Sequence, residues 1–97
     1  MNSIQHQPVI VEKSIIGSLH FPYQDVLQSD ENRRQRRMDA EKGMILGNNY
    51  KCKVKIVFED EVGVKQIETT IWSVTEKWVL IKTGMGIPLS RIYSVNA

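Results

Sequence analysis

The run Arg33-Arg34-Gln35-Arg36-Arg37 places four guanidinium groups within five residues. A guanidinium is planar, forked and always charged, so such a cluster suits phosphate oxygens. On a helix, the four would cover about half of the circumference. The same run also has a plainer reading. Asp30–Arg34 and Arg37–Glu41 stand at i,i+4, and Arg36–Asp39 at i,i+3. Charges so spaced pair along a helix surface and keep it solvated. The pairing favours this second reading.

A second basic feature follows. Lys51, Lys53 and Lys55 alternate with Cys52, Val54 and Ile56. On a strand the lysines share one face, where they could follow a nucleic-acid backbone or guard an exposed edge against pairing with other chains. Arg33, Arg34, Arg36, Arg37, Lys51, Lys53 and Lys55 are therefore the candidate contacts for nucleic acid or another partner. Trp72, Trp78 and Tyr93 could stack on bases. Each also carries enough apolar area to anchor a small core, which is the favoured reading.

Nothing in the chain assembles a catalytic set. His6 and His20 have no Cys or His neighbours at metal-ligand spacing. Thr83-Gly84-Met85-Gly86 lacks the Lys-Ser/Thr of a phosphate loop and reads as a hairpin turn. Cys52, the single cysteine, is expected to face the core, where a thiol is inert. The expectation is no enzyme, no metal and no cofactor.

The size of the chain bounds the rest. Its 97 residues allow one domain with a modest core. The net charge of +2 is too small to argue for nucleic acid by itself. It is also evenly spread, with six basic and six acidic residues in 1–50 and seven and five in 51–97. The lone cysteine, the lack of a basic leader pattern and the short apolar runs make a cytoplasmic protein the default, with no membrane contact.

These elements must position the candidates. Residues 1–24 read as an arm in which Val9–Ile16 could form a strand. Residues 25–97 read as one domain. Ser29 is an N-cap with Asp30 and Glu31 at the positive end of the dipole, and Gly47 is a stop, so the helix covers about 29–46. Leu27, Met38 and Ile45, with Met44 and Leu46 beside them, form its thin apolar stripe. From Lys51 the period changes to two. A strand at Lys51–Phe58 turns at Asp60-Glu61-Val62-Gly63 into a long strand at Val64–Thr75. Matching their apolar faces puts Ile56 opposite Ile67 and Lys55 opposite Glu68. A bulge near Ser73 would bring Trp72 and Val74 inward. Trp78–Lys82 is a strand buried on both sides, and Ile87–Leu89 is another. Ser90-Arg91-Ile92 is a tight turn before the closing Tyr93–Val95. The resulting class is mainly β (α+β): a five-stranded SH3-like or Sm-like small barrel over about 51–97, preceded by an arm and one α-helix.

The words Val54-Lys55-Ile56-Val57-Phe58-Glu59-Asp60, Glu68-Thr69-Thr70-Ile71-Trp72 and Ile87-Pro88-Leu89-Ser90-Arg91-Ile92 resemble a set of short bacterial proteins of unknown role. The arginine helix ending Leu46-Gly47-Asn48 looks like the same set. More distantly, the layout is similar to the Rho-binding transcription antiterminators, in which a helix precedes an Sm-like barrel. The resemblance covers about half of the chain, Lys51 to Ala97. It implies a fold, and through the antiterminators a regulator of termination. Those proteins meet their partner with an acidic surface, whereas this chain is mildly basic.

The functional expectation is a non-catalytic protein–protein interaction module, whose partner is another protein or a second copy joined at an edge strand such as Val9–Ile16. The alternative is a weak RNA- or DNA-binding module using the arginines and lysines.

Overall fold

The computed structural model describes residues 7–96. Over these residues the chain is α+β, with one main helix and seven strands in two sheets. Strand β1 (Val9–Ile10) is followed by a 3-10 helix at Lys13–Ser18. Helix α1 spans Asp30–Tyr50. Then come β2 (Val54–Glu59), β3 (Val64–Thr69), β4 (Ile71–Val74), β5 (Trp78–Ile81), β6 (Gly86–Pro88), a 3-10 turn at Leu89–Arg91, and β7 (Ile92–Asn96). One sheet has the order β1-β3-β2-β7 and the other β4-β5-β6. Among the described residues no ladder closes the two sheets into the expected barrel.

The β2–β3 hairpin has the expected register, with Ile56 facing Ile67 and Lys55 facing Glu68. Its period-2 pattern buries Val54, Ile56 and Phe58 while Lys55 stays in water. Asp60 fixes the turn: its carboxylate accepts the Val62 and Gly63 N–H groups, each at 3.0 Å, and Lys65 Nζ at 2.8 Å. The core is built of aliphatic side chains from both sheets around Phe58, including Ile71, Val79, Ile81, Ile87 and Ile92.

Three local expectations change. The described part of the arm is not separate from the domain. Only Val9 and Ile10 form strand, paired in parallel with β3, while Ile16 is buried in the core and Phe21 packs on Phe58 with ring centroids 6.0 Å apart. Strand β5 is buried on one side: Val79 and Ile81 face the core, and Trp78 faces solvent. Cys52 precedes β2 and is only half-buried.

Helix α1 departs most from expectation. Ser29 caps it as predicted, its Oγ accepting the Asn32 N–H at 2.9 Å. The buried face, however, is Arg36, Ala40, Gly43 and Gly47, while Met38 and Ile45 of the expected stripe lie half in water. The helix packs on β4 and β7 through small residues, so its backbone approaches the sheets closely. A Cβ at Gly47 would lie 2.8 Å from the Ile71 carbonyl oxygen. Gly47 is thus a packing residue and not a stop; the helix continues to Tyr50 and ends on Lys51, whose φ of 56° is left-handed. The Lys51 N–H donates to the Gly47 carbonyl at 2.9 Å, which closes the last turn. Among the described residues no helix is long and apolar enough to cross a membrane.

Candidate functional site

Between the 3-10 helix and α1 the chain is irregular, with bends at Tyr23, Gln24 and Val26, and polar groups from elsewhere hold it in place. Glu61 N–H donates to the His20 carbonyl and Val26 N–H to the Ser90 carbonyl, each at 2.9 Å. Arg91 is buried; its Nε donates to the Glu59 carbonyl at 3.0 Å and its Nη1 to the Gln24 carbonyl at 2.7 Å. Asp25 then folds back on its own backbone, its Oδ1 accepting the Leu27 N–H at 2.8 Å.

The arginine run completes this attachment. Arg36 Nη1 and Nη2 donate to Asp25 Oδ1 and Oδ2, both at 2.8 Å, and Nη1 also reaches the Ile92 carbonyl at 3.1 Å. The Arg36 side chain is 5 % exposed. Arg33 Nε donates to the Leu27 carbonyl at 2.9 Å and stands 3.3 Å from Asp25. Arg37 Nη2 donates to the carbonyls of Thr75 and Glu76, which fixes the β4–β5 turn. Its Nη1 lies 3.6 Å from Glu41, the i,i+4 pair read from the sequence. Arg36, by contrast, turns from the expected Asp39 to Asp25. Arg34 alone of the four lies exposed without an ion pair among the described residues. Three of the four guanidiniums are thus engaged with the protein.

Burial by itself pushes the Asp25 carboxyl up. The hydrogen bonds from Arg36 and from the Leu27 N–H, with the charges of Arg36 and Arg33, outweigh that and hold it below the usual carboxylate range. The carboxylate stays ionised at neutral pH, and the arm stays fastened to the helix.

What these attachments shape is a cleft of about 670 Å³. It is lined by Phe21, Pro22 and Tyr23 of the arm, by Glu76 and Lys77 of the β4–β5 turn with Trp78 at the start of β5, and by Pro88, Leu89 and Ser90. The Asp25–Arg36 pair also lines it. Arg36 Nε is the one buried nitrogen with no acceptor among the described residues. Two aromatic side chains stand open at this site, Tyr23 at 92 % exposure and Trp78 at 45 %.

The lysines collect elsewhere. The expected strand face of three lysines does not form: Lys51 caps α1 and Lys53 precedes β2, where they line another cleft of about 360 Å³ with Trp72 and Lys82, and only Lys55 lies on β2, opposite Glu68. A bulge does interrupt the β4–β5 ladder, between Ile71 and Ser73. It brings Val74 onto the core as expected but leaves Trp72 half-exposed. Trp78 and Tyr93 are exposed as well, so none of the three aromatics expected in the core is buried. Isoleucine fills that volume instead.

The sequence reading missed Tyr23, Asp25 and Lys82. The signal for Asp25 was an acidic residue after a proline, which reads only as a turn. Its partner stands eleven residues away on a helix face that the apolar pattern had turned outward. His6 lies outside the described residues, and among the described residues no group of His, Cys, Asp and Glu is placed to hold a metal ion. In comparisons with protein families, curated proteins and solved structures, nothing matches this chain.

Proposed function

We propose that the chain is a non-catalytic protein–protein interaction module whose cleft receives an extended apolar segment of a partner protein. The carrying observation is the pair of exposed aromatics, Tyr23 and Trp78, lining one cleft. Exposed aromatic side chains at a concave surface are the usual energetic anchors of protein interfaces. The lining is mostly apolar, which suits an apolar segment. The attachments through Asp25, Arg36, Arg37 and Arg91 hold the lining segments before binding, which lowers the ordering cost. The fold is read as a small SH3-like barrel in opened form; the 3-10 turn immediately before β7 and the pairing of β7 with β2 support this.

Peptide display against the immobilised full chain tests the proposal. Binding of the selected peptides is then followed by fluorescence in Trp72→Phe protein, where Trp78 is the only tryptophan left. Enriched apolar peptides should change the Trp78 emission, and Tyr23→Ala or Trp78→Ala should weaken them on the order of tenfold. Failure to enrich any peptide, or equal affinity in Trp78→Ala protein, ends the proposal.

A further inference from the structure

We propose that the lysine cleft beside Trp72 binds single-stranded nucleic acid, stacking a base on the indole while the lysines hold flanking phosphates. This site is separate from the Tyr23–Trp78 cleft and does not depend on it.

Three observations converge. First, Lys51, Lys53 and Lys82 line one cleft with Asn48, Thr70 and Trp72, and no carboxylate lines it. The three lysines reach it from three places: the cap of α1, the approach to β2 and the end of β5. None of them forms an ion pair among the described residues. This differs from the arginine run, whose charge is largely spent inside the protein. Clustered unpaired cations repel one another, and a polyanion relieves that repulsion while releasing its own counterions.

Second, Trp72 stands outward on β4. Alternation from buried Ile71 turns it away from the core. Ile71 pairs with Ile81 and Ser73 with Leu80, so Trp72 sits at a bulge. The bulge returns Val74 to the core without drawing Trp72 in, and the largest side chain of the strand stays 52 % exposed beside the lysines.

Third, the chemistry selects among polyanions. Lysines alone would suit any of them, but an open indole face adds stacking, which every base can use. Asn48 and Thr70 supply side-chain donors and acceptors at the same cleft. At about 360 Å³, the cleft is suited to one or two nucleotides and not to a duplex.

The test is fluorescence anisotropy of full-length chain with labelled 12-nucleotide oligo-U, oligo-dA and a 12-base-pair duplex at several salt concentrations. Single strands should bind better than duplex, with a slope of log K against log salt near about −2 for three phosphates. Lys51→Ala/Lys53→Ala/Lys82→Ala should flatten that slope. Trp72→Ala should lose about 5- to 100-fold in affinity, and Trp72→Phe should recover most of it. In Trp78→Phe protein, where Trp72 is the only tryptophan, the oligonucleotide should quench emission. The proposal is overturned by no binding at low salt, by equal binding of duplex, or by affinity unaffected in Trp72→Ala. A larger loss in Arg34→Ala than in the triple variant moves the contact to α1 and also overturns it. Binding to anionic lipid vesicles with none to oligonucleotides assigns the patch to a membrane surface instead and overturns it equally.

Discussion

The guanidinium of Arg36 and the carboxylate of Asp25 meet in a two-pronged pair, both N–O distances 2.8 Å, across eleven residues of chain. The pair joins the arm to α1, and through the Ile92 carbonyl it also ties α1 to β7. The arm, α1 and β7 are thereby tied together by polar contacts as well as by the core.

Removing one partner of this pair leaves a charge without its complement. Arg36→Met should cost about 3 kcal/mol or more, and Asp25→Asn somewhat less because that carboxylate keeps some water. Arg36→Met/Asp25→Asn should recover part of the loss. Urea unfolding of the two singles and the double closes the cycle; strict additivity means the pair is not coupled.

Acid should weaken the protein through Asp25 and Asp60. For Asp60, burial pushes the carboxyl up, and hydrogen bonds from Lys65 and the Gly63 and Val62 N–H groups, with the Lys65 charge, outweigh it. Both groups are held below the ordinary aspartate value of 3.8. A depressed carboxyl contributes stability that is present above the unfolded value and lost as pH falls through the folded one. Urea midpoints should therefore be level near neutrality and drop below about pH 4. Asp25→Asn and Asp60→Asn, weaker at neutral pH, should each show a smaller drop. A midpoint that rises with acid contradicts both assignments.

Gly47→Ala sets two effects against each other. Alanine is the better helix former by about 1 kcal/mol. Its Cβ would lie 2.8 Å from the Ile71 carbonyl oxygen and 2.9 Å from Thr70 Cγ2, so α1 must move off β4. Overpacking of this kind costs about 1–3 kcal/mol. The expected net result is a melting temperature lower by several degrees. An increase on calorimetry means that helix propensity wins and the approach is looser than described.

Met38→Gln and Ile45→Gln should change stability by no more than about 0.5 kcal/mol, because both side chains are more than half exposed. Ile56→Ala, at 0 % exposure, should cost about 2–5 kcal/mol. Comparable losses at Met38 and Ile56 would restore the outward stripe as the packing face.

The β2–β3 hairpin was legible down to its register. Lys51–Phe58 alternates strictly, and only one alignment buries both apolar sets, so Ile56 opposite Ile67 follows from local chemistry. Ser29 as N-cap and the 3-10 turn before β7 were legible for the same reason: each depends on a few adjacent residues. The face of α1 was not. Apolar periodicity measures side-chain burial, and this helix packs by backbone approach through Ala40, Gly43 and Gly47, which periodicity scores as nearly blank. Arg36 read as solvated because its acceptor, Asp25, comes near only when the arm folds over the sheets.

The sequence alone determined the hairpin register, the helix N-cap and the presence of two basic groups of residues, but not that the stretch Val64–Thr75 breaks into β3 and β4 of different sheets. Tertiary structure decided which charges remained available. It drew Arg33, Arg36 and Arg37 into contacts with Asp25 and backbone carbonyls, and it gathered Lys51, Lys53 and Lys82 around an outward Trp72. The physical reason is range. Alternation and capping act over a few residues, whereas the partner of a buried charge is set by whichever distant segment the closing core brings beside it.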